Sequence, residues 1–195
     1  ILNLPNGVDI NNLIADLKKF SWEAADILLY YSKKLEDSNF KKEITNKTDL
    51  TQPVTAADLE VNELIKKRIK EFYPEVCWDF LSEEDSKLEG KLFNPKYNWL
   101  WVLDPLDGTK DFIQGTGHYA MHLSLNFKNK PVLGVVLIPE RNELWISYLS
   151  KTYCYRDYIS EVKLDLKSNK RLDNMRLITS KNHNNDFLLN LIERI

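Results

Sequence analysis

The chain has 195 residues, 43% of them hydrophobic and 29% charged, with a formal net charge of −2. That balance suits a soluble globular protein with a real core, and it provides no global field that would favour nucleic acid or an anionic membrane. No apolar stretch approaches the roughly 20 residues needed to span a bilayer, and the start of the chain lacks the basic and apolar segments of a signal peptide, so the expectation is a cytoplasmic protein.

From Asp9 to Glu36, apolar residues recur at Ile10, Leu13, Ile14, Leu17, Ala24, Ile27, Leu28 and Tyr31. That period predicts an amphipathic helix capped by Asp9. Lys41 to Gln52 reads as a polar loop. A second helix is expected from Ala56 to Phe72, with Val61, Leu64, Ile65, Ile69 and Phe72 on one face and Pro74 closing it. Thr55 and Asp58 have the spacing of a capping box at its start. Val76 to Leu81 reads as a short strand, Ser82 to Lys91 as a charged loop, and Trp99 to Leu103 as a buried strand ending at Asp104.

The period then changes to two. Met121, Leu123, Leu125 and Phe127 alternate with His122, Ser124 and Asn126, as in a half-buried strand. Pro131 to Ile138, Glu143 to Leu149, Thr152 to Arg156 and the run through Val162, Leu164 and Leu166 continue as strands. Short connections at 128–130 and 139–142 make neighbours antiparallel. Arg176 to Thr179 reads as a further strand, and a helix is expected from about Asp186. Helices followed by a meander give an α+β layered architecture. Cys77 and Cys154, without CxxC spacing, read as buried free thiols.

Three acidic groups stand out. Asp104 and Asp107 flank Pro105 and Leu106 where a buried strand ends, so two carboxylates converge on a small volume and repel unless a cation lies between them. Magnesium takes few carboxylates and completes its shell with water and phosphate oxygens. Gly108 leaves room for a close approach, and the Gly108 and Thr109 N–H groups suit a phosphate if a helix starts there. An ordinary turn also explains Pro105-Leu106-Asp107-Gly108. The second group, Glu83-Glu84-Asp85, reads equally as a solvated loop or as a cap with Ser82 facing Asp85. The third is Asp58, for which a capping role suffices. His118 and His122 do not make a metal pair, because four strand residues would separate them by roughly 13 Å.

Taken together, Pro53-Val54-Thr55-Ala56-Ala57-Asp58, Leu81-Ser82-Glu83-Glu84-Asp85 and Trp101 to Ile113, with Gly134-Val135-Val136 and Glu143-Leu144 after them, resemble the inositol monophosphatase superfamily of lithium-sensitive, magnesium-dependent phosphatases. Within it the chain is most similar to the 3′(2′),5′-bisphosphate nucleotidases of the CysQ type, through Lys110-Asp111-Phe112 and the Ser180-x-x-His183 segment. The resemblance implies a layered α/β sandwich of the sugar-phosphatase type with a largely antiparallel N-terminal sheet. Residues 1–160 would be the catalytic lobe, and 161–195 the start of a C-terminal lobe whose remainder, with its Trp-Asp motif, is absent.

It further implies two or three Mg2+ ions held by Glu83, Asp104, the Leu106 carbonyl and Asp107. Asp58 and Thr109 would activate water, and Gly108, Thr109, Ser180 and His183 would bind substrate. Lys47 and Asp49 would belong to a loop beside the site, and Glu84 would stand behind the ligands. The implied reaction is two-metal hydrolysis of the 3′-phosphate of 3′-phosphoadenosine 5′-phosphate, with its sulfated form as a second candidate substrate, in sulfur metabolism. An inositol-phosphate phosphatase and a non-catalytic metal- or nucleotide-binding lobe are the alternatives. The implied assembly is a monomer or homodimer, with a small phosphorylated nucleotide as partner and no nucleic acid.

Overall fold

Asp9 caps the first helix: its Oδ1 accepts hydrogen bonds from the N–H groups of Asn11 and Asn12 at 2.9 and 3.0 Å. The computed structural model describes residues 4–36, 51–85, 94–149, 151–157 and 160–164. The chain divides between Leu164 and Asp165, so all of these belong to the unit Ile1–Leu164. Helix α1, Ile10–Glu36, buries Leu13, Leu17, Phe20, Ala24 and Leu28 completely, at the three- and four-residue steps that keep side chains on one helical face. Asp9→Ala is expected to cost about 1 kcal/mol of unfolding free energy, because two N–H groups at the helix start lose their acceptor. Chemical denaturation of the variant measures it.

Helix α2, Thr51–Phe72, begins four residues before the expected capping residue. Thr55 therefore lies inside the helix and is not its cap, and Thr51 and Gln52 belong to the helix rather than to a loop. Pro53 stands in the first turn, where its missing N–H leaves no helical bond unmade. Ala57, Val61, Ile65 and Ile69 are buried at four-residue steps.

Among the described residues the sheet has seven strands in sequence order: β1 (Asp79–Ser82), β2 (Trp99–Asp107), β3 (Ala120–Phe127), β4 (Lys130–Ile138), β5 (Glu143–Tyr148), β6 (Lys151–Arg156) and β7 (Ser160–Leu164). β1 runs parallel to β2, and every later pair is antiparallel. A short helix, α3 (Thr109–Gln114), joins β2 to β3, and a 3-10 turn, Pro139–Arg141, joins β4 to β5. The α+β meander matches the expectation from the sequence.

Two strand boundaries near the acidic residues differ. β1 starts at Asp79 rather than Val76. Cys77 consequently precedes the strand and is exposed, whereas Cys154 in β6 is buried; both are free thiols. β2 continues through Pro105 to Asp107 instead of ending at Asp104.

Both long helices cover one face of the sheet. α2 lies on β2, and α1 meets β4, β5 and the 139–141 turn. Trp101, Leu103, Met121, Leu123, Leu125, Val135, Leu137 and Ile146 enter the shared core with the helices. Each fully buried side chain of this size contributes roughly 1.5–3 kcal/mol. The alternate residues, among them Val102, His122, Ser124, Gly134 and Val136, face the other way and line a depression of about 580 Å³. Among the described residues no helix is long and apolar enough to cross a membrane. The expected strand at 176–179, the helix from 186, most of the 41–52 loop and residues 86–91 lie outside the described residues.

Candidate metal centre

Asp107 lies three positions after Asp104, and in a regular strand that spacing places them on opposite faces. The ladder between β2 and β3 slips at this point: Asp104 pairs with His122 and Asp107 with Ala120, so one extra residue is inserted in β2. A bulge of this kind shifts the phase of the strand by one. Leu103 and Leu106 accordingly both enter the core beneath the helices. The phase shift returns Asp107 to the face that carries Asp104. Pro105 sits in the gap of the β3 pairing and beyond the β1 pairing, which ends at Leu103. Its missing N–H therefore breaks no ladder bond.

The run then folds back on itself. The Leu106 N–H donates to Asp104 Oδ1 at 3.2 Å, and the Thr109 hydroxyl donates to the Leu106 carbonyl at 3.3 Å. Gly108 has φ +87°, and a Cβ there would lie 2.6 Å from the His118 carbonyl oxygen. Only glycine accommodates both the left-handed backbone and that approach. α3 starts at Thr109, as phosphate binding by the Gly108 and Thr109 N–H groups would require.

Glu83 reaches the same face from the neighbouring strand. β1 ends at Ser82, whose partner in β2 is Leu103, so the next residue of β1 stands beside Asp104. Ser82 Oγ accepts the Glu84 N–H at 3.2 Å, and residues 83–85 turn helically. Ser82 thus caps the turn as expected, but Asp85 does not reach back to it. Asp85 lies 3.1 Å from Lys66 Nζ through each of its oxygens, which ties this turn to α2. Glu84 is buried and Glu83 exposed.

Burial, then the charges of Glu83 and Asp107, then a hydrogen bond shared with Glu83 push the Asp104 carboxyl up from 3.8 to about 6; only the Leu106 N–H opposes them. Two acidic side chains in hydrogen-bond contact need either a shared proton or a cation. Glu83 and Asp104 also line the depression on the open face. The all-oxygen donor set of Glu83, Asp104, Asp107 and the Leu106 carbonyl fits a hard divalent cation by its chemistry. The side chains are not drawn into a closed cage, however. Among the described residues no group of three or more His, Cys, Asp or Glu side chains stands close enough to hold an ion.

Asp58 is 5% exposed on α2, and α2 packs against α3, which Thr109 begins. Lys47, Asp49, Ser180 and His183 lie outside the described residues. One neighbour was not anticipated in its role: His122, opposite Asp104 in β3, places Nε2 3.9 Å from Asp107 Oδ2. His118 instead lies 3.9 Å from Asp111, so the two histidines serve different carboxylates and form no pair. Strand register produces the first contact, and no spacing within the sequence carries that information.

Several known proteins are similar to this chain. A 3′(2′),5′-bisphosphate nucleotidase CysQ of Buchnera aphidicola is 29% identical over 169 residues, covering 86% of this chain and 58% of that protein. The Nus factor SuhB of Vibrio cholerae is 34% identical over 116 residues, 60% of this chain and 40% of that protein. The crystal structure of CysQ from Bacteroides thetaiotaomicron, a bacterial member of the inositol monophosphatase family, superposes with a TM-score of 0.61 at 23% identity, over 94% of this chain and 68% of that one. The chain spans about half the length of the curated relatives it matches. The Inositol monophosphatase family profile matches residues 12–193. That span takes in the acidic run and the seven described strands, and the chain belongs to the inositol monophosphatase family.

Proposed function

We propose that this chain carries the metal-binding and phosphate-binding centre of a magnesium-dependent phosphomonoesterase. Its substrate is the 3′-phosphate of 3′-phosphoadenosine 5′-phosphate. The observation that carries this reading is Asp104, held between Glu83 and Asp107 on one face with its carboxyl pushed up to about 6. A site that crowds acids in this way is built for positive charge.

Glu83, Asp104, the Leu106 carbonyl and Asp107 would hold the ions. Bound there, divalent cations neutralise phosphate charge, acidify a water and stabilise the leaving oxygen. The chain's own residues do the rest. Thr109, its hydroxyl oriented by the Leu106 carbonyl, aligns the attacking water together with Asp58. Glycine at 108 lets the chain turn against the His118 carbonyl, which fills the space a Cβ would take, and the Gly108 and Thr109 N–H groups receive the phosphate oxygens. Glu84, buried behind Glu83, supports the turn.

The nucleotide preference rests on Lys110-Asp111-Phe112, on Ser180 and His183, and on relatives named as bisphosphate nucleotidases. Phosphate release in magnesium from adenosine 3′,5′-bisphosphate and from inositol 1-phosphate tests it. The expected result is faster release from the nucleotide by about tenfold or more, abolished by a chelator. Faster release from inositol 1-phosphate would overturn the substrate assignment, and no release from either would overturn the reaction.

A further inference from the structure

Beyond the acidic run, the same end of the sheet carries a cation that the proposed reaction leaves unused. The turn Pro139–Arg141 is rigidly held. Pro139 is buried, and Glu140 Oε1 accepts hydrogen bonds from Ser32 of α1 at 3.1 Å and from Tyr119 at 2.8 Å. Asn142 closes the turn in the left-handed region, with its N–H donated to the Pro139 carbonyl at 3.0 Å. Arg141 itself is exposed, and among the described residues its guanidinium has no ion-pair or hydrogen-bond partner.

Arg141 stands where two depressions meet. One, of about 310 Å³, lies between the 115–118 loop and the 140–141 turn. The other, of about 240 Å³, runs from Asp107 past Ala120 and Ile138 to Arg141. Gly117, His118 and Arg141 line both. Asp107 ends β2, Ala120 is its partner in β3, and Ile138 ends β4. Two strand spacings, roughly 10 Å, therefore separate the acidic run from the base of the Arg141 turn. A single sugar unit phosphorylated at two positions bridges such a gap once the arginine side chain reaches inward.

Three nearby acids are engaged elsewhere. Glu140 is directed to Ser32 and Tyr119, Asp111 accepts the Thr116 hydroxyl at 2.7 Å, and Asp107 faces His122. A fixed backbone that presents an unpaired guanidinium is preorganised for an anion, because little freedom is lost when the anion binds.

We propose that Arg141, assisted by His118, forms an anion subsite. It takes the second phosphate of a bisphosphorylated substrate whose first phosphate lies at Asp104 and Asp107. This rests on the reading of Asp104–Thr109 as the hydrolytic centre, and it adds the determinant that separates bisphosphates from monophosphates.

Calorimetric titration of the full chain in magnesium buffer, with adenosine 3′,5′-bisphosphate and with adenosine 3′-monophosphate, tests it independently of turnover. The wild-type protein is expected to bind the bisphosphate more tightly. Arg141→Gln should shrink the ratio of the two affinities by about tenfold, Arg141→Lys should retain part of it, and added salt should erode it. An unchanged ratio in Arg141→Gln, or no preference in the wild-type protein, overturns the subsite. If the ratio behaves as expected while no phosphate is released from any substrate, the hydrolytic reading falls and the subsite stands.

Discussion

Asp104→Asn is expected to stabilise the metal-free protein above pH 6 while removing its response to magnesium. The folded protein holds the Asp104 proton more tightly than the unfolded chain does, with the carboxyl pushed up from 3.8 to about 6. The stability linked to that proton is therefore fully present below about pH 4 and lost as pH rises through about 6. Above that range the folded state carries an ionised Asp104 beside Glu83 and Asp107. A shift of this size corresponds to about 3 kcal/mol before screening, and partial exposure of the carboxyl reduces it to about 1 kcal/mol.

Asparagine is neutral throughout, so the gain of Asp104→Asn over the wild-type protein should open between pH 4 and 6 and then level off. Thermal melts in a chelator across that range measure it; a difference that does not vary with pH would remove the electrostatic explanation. With magnesium present the order reverses. The wild-type melting temperature is expected to rise with the ion and the variant's to stay unchanged, because on the proposed reading Asp104 is the central oxygen donor. Outer partners of metal sites cost about 10–100-fold in affinity when removed, and a direct donor is expected to exceed that. On the proposed reaction, phosphate release falls with it, and Asp107→Asn should behave alike in activity.

Gly108→Ala is the second substitution with a large expected effect, and it acts through the backbone. At φ +87° any L side chain is strained, and the added Cβ would meet the His118 carbonyl oxygen at 2.6 Å. Strain in the left-handed region costs roughly 1–2 kcal/mol. The clash is with backbone rather than a movable side-chain tip, so the loop 115–119 must shift as well, and about 2–4 kcal/mol in total is expected. Gly115→Ala is the control. Its φ is +67°, but a Cβ there meets nothing within 4 Å, so it should show the backbone strain alone. Denaturant midpoints of the two variants separate the terms, and equal losses would show that the contact with His118 does not matter.

Much of the molecule was legible from periodicity. The four-residue steps of α1 and α2 and the alternation of Met121, Leu123 and Leu125 mark buried faces, because one face must leave water whatever lies opposite. Local turn chemistry was legible too, as with Asp9. The misreadings have a common cause. Thr55 and Asp58 have capping-box spacing, yet α2 starts at Thr51: a helix absorbs an early proline without losing a bond, so Pro53 did not mark its edge. Cys77 has apolar neighbours but precedes β1 and is exposed. Local composition does not specify where a strand finds its partner.

The acidic run shows where that boundary lies. Residue type and spacing alone determined that Asp104 and Asp107 would be close, that Pro105 would stiffen the chain between them, and that Gly108 would permit a close approach, which the structure gives to the His118 carbonyl. Tertiary structure decided that they share a face, because the bulge against β3 shifts the phase of β2 by one residue. It also decided that Glu83 comes from the parallel neighbour β1, that His122 stands opposite Asp104, and that Arg141 lies at the far end of the same groove. Each of these depends on which strands pair and in what register, and pairing is set by burial of the whole sheet against two helices rather than by any short stretch of chain.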